Sequence, residues 1–305
     1  MSTKDDRPSA YVFTRDRWHV RAGEWAVYAV AWIFLAVTRP FGVWTLSRVL
    51  APLGGWAVLA VPAFRKRAQQ NLAQVWPERG AAAHRAIAME AGQQFLRLLI
   101  EYPRLTRFSQ KMVLRSEGLE HLEAVRAEGR GAILATAHYG NWEAVRIAAL
   151  RAGIDSGIIY RAFNNRYLDR TAFETIHCAG TPVLRKGAAG LRAMIAHLKR
   201  GGVVMILVDQ RNSGAPMLPF LGQPAETVLA AAELARRCNA ALIPAVGRRN
   251  VDERRFEVSF EPEIPVDDPA AAMTEVNARI GAWIEADPGQ WLWFHRRWKT
   301  ARRGR

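Results

Sequence analysis

The apolar residues of this chain fall into two patterns, long uncharged runs before residue 65 and short β-branched blocks beside amphipathic stretches after about residue 80. The first run, Trp25 to Thr38, reads "WAVYAVAWIFLAVT". Its 14 residues carry no charge, yet as a helix they span only ~21 Å, against ~30 Å of bilayer hydrocarbon. The second, Val49 to Phe64, is interrupted by Pro52, Gly54, Gly55 and Pro62, and "RKR" follows at Arg65 to Arg67. Trp25, Trp32, Trp44 and Trp56 punctuate the runs as interfacial aromatics do. Residues 1–64 are therefore expected to associate with a membrane, as a tilted span, a re-entrant segment or an in-plane hairpin, with buried core helices as the alternative. The late start of the run and the lack of an A-x-A cleavage pattern just after it argue against a cleaved secretory signal.

Residues 65–305 have the texture of a globular domain. Apolar blocks occur at 131–138 ("GAILATAH"), 156–162 ("SGIIYRA"), 181–186 ("TPVLRK"), 203–209 ("VVMILVD") and 241–246 ("ALIPAV"), with helical patterns between them. Such alternation predicts βαβ units, hence an α/β fold with a mostly parallel mixed sheet flanked by helices. "RFEVSFEPEI" at 255–264 alternates polar and apolar residues and reads as an edge strand. A final helix is predicted from Pro269 to Asp287, just before Pro288.

Composition narrows the chemistry. The 305 residues carry 43 Lys and Arg against 28 Asp and Glu, a net charge of +15 that favours an acidic partner such as nucleic acid, anionic lipid or an acidic protein. Only Cys178 and Cys238 occur, without metal-ligand spacing, so neither a disulfide framework nor a metal site is expected. There is no G-x-S-x-G elbow, phosphate-binding loop or dinucleotide fingerprint.

The stretch "AHYGNWEAV" (137–145) carries the candidate chemistry. His138 ends a buried strand, Gly140 permits a sharp turn, Asn141 suits an N-cap, and Glu143 opens the next helix. Strand ends of this kind border the ligand crevice of open α/β sheets. A turn between the two residues allows the carboxylate to orient the imidazole, making His138 a general base and Glu143 its partner. The competing interpretation is a histidine at a helix cap with a glutamate near the positive dipole end. With no protein nucleophile in view, a base suggests direct transfer to a hydroxyl of the substrate.

The chain also resembles the late lipid A acyltransferases of lauroyl or myristoyl type, within the lysophospholipid acyltransferase superfamily that shares H-x4-[DE]. The resemblance rests on "HYGNWE" together with "RKRAQQNLAQVWPE" (65–78), "IIYRAFNN" (158–165), "ILVDQR" (206–211), "PFLGQPAET" (219–227) and "QWLWFHRRWK" (290–299), in the family's order. It implies an acyltransferase domain at 65–305 on the cytoplasmic face of the inner membrane. This would move a fatty acyl chain from acyl carrier protein to a hydroxyl of a lipid A precursor glycolipid, without a cofactor. In that setting His138 takes the hydroxyl proton, Glu143 orients His138, and backbone N–H groups at the helix start meet the oxyanion.

Substrate-binding candidates are Arg161, Asp209, Gln210, Arg296 and Arg297. Arg161 follows a strand and suits a phosphate, and Asp209 and Gln210 end a strand at the same edge as His138. Arg296, Arg297 and Lys299 suit lipid phosphate, with Trp291, Trp293 and Trp298 at the interface. An acyl-CoA-dependent enzyme, or one acting on another glycolipid or lysophospholipid, fits the same residues. The tail "HRRWKTARRGR" also invites a nucleic-acid arm, but no binding module accompanies it, so an anionic membrane surface is expected and nucleic acid is not.

Overall fold

The structure is a computed structural model and describes residues 18–298. Helices α1 (Trp18–Thr38), α2 (Val43–Ala60), α3 (Pro62–Val75), α4 (Gly80–Glu101) and α5 (Leu105–Lys111) come first. An alternating region follows: β1 (Val113–Glu117), α6 (Leu119–Ala127), β2 (Ala132–Thr136), α7 (Glu143–Arg151), β3 (Ser156–Tyr160), α8 (Arg166–Ile176), β4 (Val183–Arg185), α9 (Ala188–Leu198) and β5 (Val203–Leu207). A hairpin of β6 (Met217–Phe220) and β7 (Gln223–Glu226) leads to α10 (Ala230–Cys238), β8 (Ala241–Asn250), β9 (Arg255–Phe260) and α11 (Pro269–Ala286).

Seven strands form one sheet in the order β1-β9-β8-β2-β5-β3-β4. The five from β8 to β4 are mutually parallel, as expected of buried Val/Ile/Leu runs separated by helices. Strand β9 runs antiparallel to β8 and parallel to β1. It is therefore interior, and the edge expected at 255–264 belongs to β1, whose "VLRSE" is too short and polar to announce itself as a strand. Hydrophobic cores lie on both faces, one with Ile133, Ala135, Val204 and Leu242, the other with Leu134, Met205, Ile243 and Phe256.

The N-terminal helices differ from the two runs seen in sequence. Helix α1 starts seven residues before Trp25 and includes His19, Arg21 and Glu24. Its 21 residues span ~31 Å. None of them is buried. It is tied to α8 by the Arg166–Glu24 pair at 2.8 Å, by the Asn165 amide donating to the Glu24 carbonyl at 2.8 Å and by contact between Tyr28 and Tyr167, and Arg104 donates to the Thr38 hydroxyl. Both α1 and α2 are long and apolar enough to cross a membrane, and Trp18, Trp25, Trp32, Val49, Leu53 and Trp56 stand exposed on them. Trp44 instead lies half-buried between Phe108 and Phe256.

Helix α2 is bound firmly to α4. A Cβ on Gly54 would come within 2.2 Å of the Gly92 carbonyl oxygen, and one on Gly92 within 2.4 Å of the Gly54 oxygen. Only glycine at both positions allows this backbone contact, around which Leu46, Ala51 and Val58 are buried. The described residues before α3 thus comprise one helix held at a few points and one that forms part of the domain's packing.

A chain beginning at Gly42 should still fold, with a modest fall in thermal midpoint, because it loses one half-buried ion pair and two side-chain hydrogen bonds, each worth about 1 kcal/mol. A chain beginning at Arg65 should melt far lower or aggregate, because α4 loses its partner. Circular-dichroism melts of the two truncations in one detergent compare them directly.

Candidate functional site

Strand pairing assembles the site. Thr136 on β2 lies opposite Leu207 on β5, and the Val208 N–H donates to the Thr136 carbonyl at 2.9 Å. Two residues further along each chain, His138 and Asp209 face one another at the carboxyl end of the sheet. His138 Nδ1 lies 2.7 Å from Asp209 Oδ1, and the His138 backbone N–H donates to Asp209 Oδ2 at 3.0 Å. The indole of Trp291 donates to the same Oδ2 at 2.8 Å. Asp209 is fully buried. Burial by itself would raise its pKa, but attraction to His138, the His138 hydrogen bond, His295 and the Trp291 donor outweigh it and hold the carboxyl well below the usual range.

An ionised Asp209 requires a proton on His138 Nδ1, which leaves Nε2 of the neutral ring as an acceptor. That nitrogen lies 3.1 Å from Nε2 of Gln210, an exposed side chain. Nε2 therefore points to the accessible side of the site while Asp209 holds the ring from behind.

Glu143 has other partners. One of its oxygens accepts from Tyr102 Oη at 2.7 Å and the other from Arg146 at 2.7 Å. Burial and the adjoining carboxylate push the Tyr102 phenol well above its ordinary value, so it stays protonated and donates. Arg146, fully buried, also donates to the carbonyls of Ser156, Ile176 and Gly180. The orienting contact expected from Glu143 is thus made by Asp209. Glu143 sits in the first turn of α7, and its nearest charged neighbour is the i+3 arginine on the same helix face.

The turn between His138 and α7 runs against the rest of the domain at backbone distance. Gly140 has φ +54°, and a Cβ there would meet the Gly247 carbonyl oxygen at 2.1 Å. Its N–H donates to the Gln290 carbonyl at 3.1 Å, that of Asn141 to Gly247 at 2.9 Å, and that of Glu143 to the Asn141 side chain at 3.0 Å. Asn141 is itself held by buried Glu101, which pairs with Arg249. Most of the helix-start amides expected to meet an oxyanion are therefore committed within the protein.

The C-terminal segment closes the site and corrects several expectations. Trp291, Trp293 and Trp298 are buried rather than interfacial, because their rings pack on one another, on Phe220 and on Trp76. Arg297 is also fully buried, donating to the Glu226 carbonyl at 2.7 Å and the Thr227 hydroxyl at 2.9 Å over the Phe220 ring. Burial lowers its pKa to about 10. It clamps the hairpin rather than presenting charge to a lipid. Arg296 is exposed, and Lys299 lies outside the described residues. Arg161 is exposed at the end of β3, one strand beyond β5 at the same sheet edge.

Two further residues escaped the sequence reading. Asn71 of α3 donates to the Trp293 and His295 carbonyls at 2.7 and 2.9 Å, so the 65–78 block holds the C-terminal segment. His295 packs on Trp291 with its ring 6.5 Å from that of His138, and burial pushes its pKa down. The pairing of "QN" with "HRR" across the chain was the available signal. Beside His138 lies a small cleft whose wall is mostly apolar, with Ala91, Phe95 and Leu98 of α4, Trp142, Trp291 and Leu292, and with Gln94 and Gln290 as its polar points.

Comparison with known proteins bears on this geometry. The family described as bacterial lipid A biosynthesis acyltransferase matches residues 13–300. A lipid A biosynthesis lauroyltransferase of Escherichia coli (strain K12) is 27% identical, the match covering 92% of each chain. A lipid A biosynthesis palmitoleoyltransferase of the same organism is 25% identical over 94% of this chain and 95% of the relative. A phosphatidylinositol mannoside acyltransferase of Mycobacterium tuberculosis (strain CDC 1551 / Oshkosh) is 25% identical over 91% of this chain and 89% of its own.

Arg297→Met should lower stability by about 1–3 kcal/mol, since the Glu226 carbonyl loses its buried donor and Thr227 loses one partner. Arg296→Ala should leave the thermal midpoint where it is. Paired thermal melts test the contrast, and equal midpoints for the two variants would contradict the buried clamp.

Proposed function

This chain belongs to the bacterial lipid A biosynthesis acyltransferase family, and from that premise we propose that it transfers a fatty acyl chain from acyl carrier protein to a hydroxyl of a lipid A precursor. His138 is the general base and Asp209 its orienting carboxylate. The observation that carries the mechanism is the 2.7 Å contact between His138 Nδ1 and the buried Asp209 carboxylate. This contact fixes the tautomer and leaves Nε2 free to take a proton.

The reaction needs one base used twice. The acceptor hydroxyl gives its proton to His138 Nε2 as its oxygen attacks the thioester carbonyl carbon. The tetrahedral intermediate then expels the thiolate, which takes the proton back. Asp209 stabilises the imidazolium between the two steps. Glu143 contributes by position, because its buried pair with Arg146 locks the start of α7 beneath the turn that carries His138.

Substrate assignments follow from charge and apolarity. A net charge of +15 suits both an acidic carrier protein and a phosphorylated glycolipid, with the exposed Arg161 and Arg296 as candidate phosphate contacts. The small, mostly apolar cleft beside His138 marks where the first carbons of the acyl chain would enter. The exposed apolar faces of α1 and α2 support attachment to a membrane, and the cytoplasmic face of the inner membrane, with its anionic surface, follows from the proposed donor and acceptor. A different glycolipid acceptor is the second reading, favoured by the similarity to a phosphatidylinositol mannoside acyltransferase.

Expression in a host that lacks its own late lipid A acyltransferase should restore one acyl chain to lipid A, read by mass spectrometry. His138→Ala should not restore it at equal membrane abundance. An unchanged lipid A profile despite good expression would transfer the case to another glycolipid.

Glu143→Gln should act mainly on stability. Leaving Arg146 as an uncompensated buried charge costs about 3–5 kcal/mol, so the variant should melt early, and molecules that remain folded should retain a substantial share of turnover. A normal melting temperature with abolished turnover would make Glu143 part of the reaction itself.

A further inference from the structure

The site shows where the base lies but not, from its backbone, what meets the negative charge that develops on the thioester oxygen. The N–H groups nearest the base have been assigned elsewhere. That of His138 goes to Asp209 and that of Tyr139 to the Ala137 carbonyl. Those of Gly140 and Asn141 go to Gln290 and Gly247, that of Glu143 to the Asn141 side chain, and that of Ala144 to the Asn141 carbonyl. Among the described residues of this turn, the Trp142 amide alone has no partner. A single amide is a weak oxyanion site.

One side-chain donor already lies at the reacting nitrogen. Gln210 Nε2 is 3.1 Å from His138 Nε2, and chemistry fixes which way its amide faces. Asp209 claims the proton on Nδ1, so Nε2 offers a lone pair, and only the N–H end of the amide can approach it. The side chain is exposed and has rotatable bonds, so an acceptor hydroxyl can displace it from the lone pair. Once displaced, the amide lies beside the attacking oxygen, one carbon atom away from the oxygen that becomes negative. Asp209 precedes it immediately in the chain and is pinned by three hydrogen bonds, so the backbone that aims Gln210 is rigid.

We propose that Gln210 is the side-chain oxyanion donor of this enzyme. It covers the base nitrogen in the resting site and turns its amide N–H to the thioester oxygen when the acceptor hydroxyl takes its place. As the hydroxyl oxygen bonds to the carbonyl carbon, its proton passes to His138 Nε2 and the carbonyl π pair moves to the oxygen that Gln210 holds. Collapse of that intermediate restores the carbonyl, breaks the carbon–sulfur bond and returns the proton to the thiolate. Because the contact matures only in the transition state, it raises kcat rather than tightening substrate binding. This assignment rests on the acyl-transfer reading and extends it to one residue.

The test uses the full chain in mixed micelles with an acyl carrier protein thioester and a glycolipid acceptor. Gln210→Ala should lower kcat by about a hundred- to a thousandfold while both KM values stay within about threefold, with the thermal midpoint unchanged. Gln210→Glu keeps the shape but sets a carboxylate against the developing charge, so it should be slower still. If Gln210 merely covers the base, Gln210→Ala will turn over as fast as the parent or faster, and the assignment falls. A loss confined to KM overturns it as well, since that is the mark of ground-state binding.

Hydrolysis of the donor thioester by water passes through the same oxyanion and separates this inference from the substrate assignment. Parent enzyme that hydrolyses the thioester without acylating the glycolipid argues against that acceptor, while the Gln210 variants still report on the oxyanion through hydrolysis. Parent enzyme that does neither removes the acyl-transfer reading, and this assignment goes with it.

Discussion

Asp209 carries a negative charge out of reach of water, and a charge there must be matched by fixed donors or be neutralised by protonation. Three donors match it: the backbone and ring of His138 and the indole of Trp291. Meeting that demand constrains most of the fold. Strands β2 and β5 must be neighbours in a register that sets residue 138 opposite residue 209. The segment around Trp291 must return to the sheet edge from the far end of the chain. Its return depends in turn on Asn71 below it, on Gln290 against the Gly140 turn, and on Arg297 against the hairpin. Sequence blocks as much as 224 residues apart are tied together around one carboxylate.

A second consequence concerns how the site is anchored. Helix α4 lines the apolar cleft with one part of its surface and holds α2 at Gly92 with another. At its end, Glu101 secures Asn141 beside the base. A single helix therefore connects α2, with its exposed apolar face, to the residues next to His138.

Much of this was legible in the sequence where the signal is local. The β-branched blocks mark β2, β3, β5 and β8, and Pro269 and Pro288 bracket α11. The strand-turn-helix at 137–145 locates His138, and Asp209 and Gln210 are legible as the end of another strand at the same edge. The partner of His138 was not, because a five-residue spacing is visible along the chain whereas strand register is a property of the folded sheet. The interior position of β9 was hidden for the same reason, since "VLRSE" carries too little pattern to announce a strand outside it. Tryptophan and arginine misled in a consistent way. Both suit an interface by composition, but Trp291, Trp293, Trp298 and Arg297 meet one another, Phe220 and Thr227, and that mutual burial cannot be seen from residue type.

The central claim is that Asp209, rather than the nearer glutamate in sequence, holds the proton on His138 Nδ1. Proton NMR of enzyme labelled with nitrogen-15 in histidine reads this contact directly, because an Nδ1–H bonded to a buried carboxylate resonates far downfield. The account predicts that this resonance disappears or moves strongly upfield in Asp209→Asn and persists in folded Glu143→Gln. A resonance that survives Asp209→Asn and is lost in Glu143→Gln would contradict it.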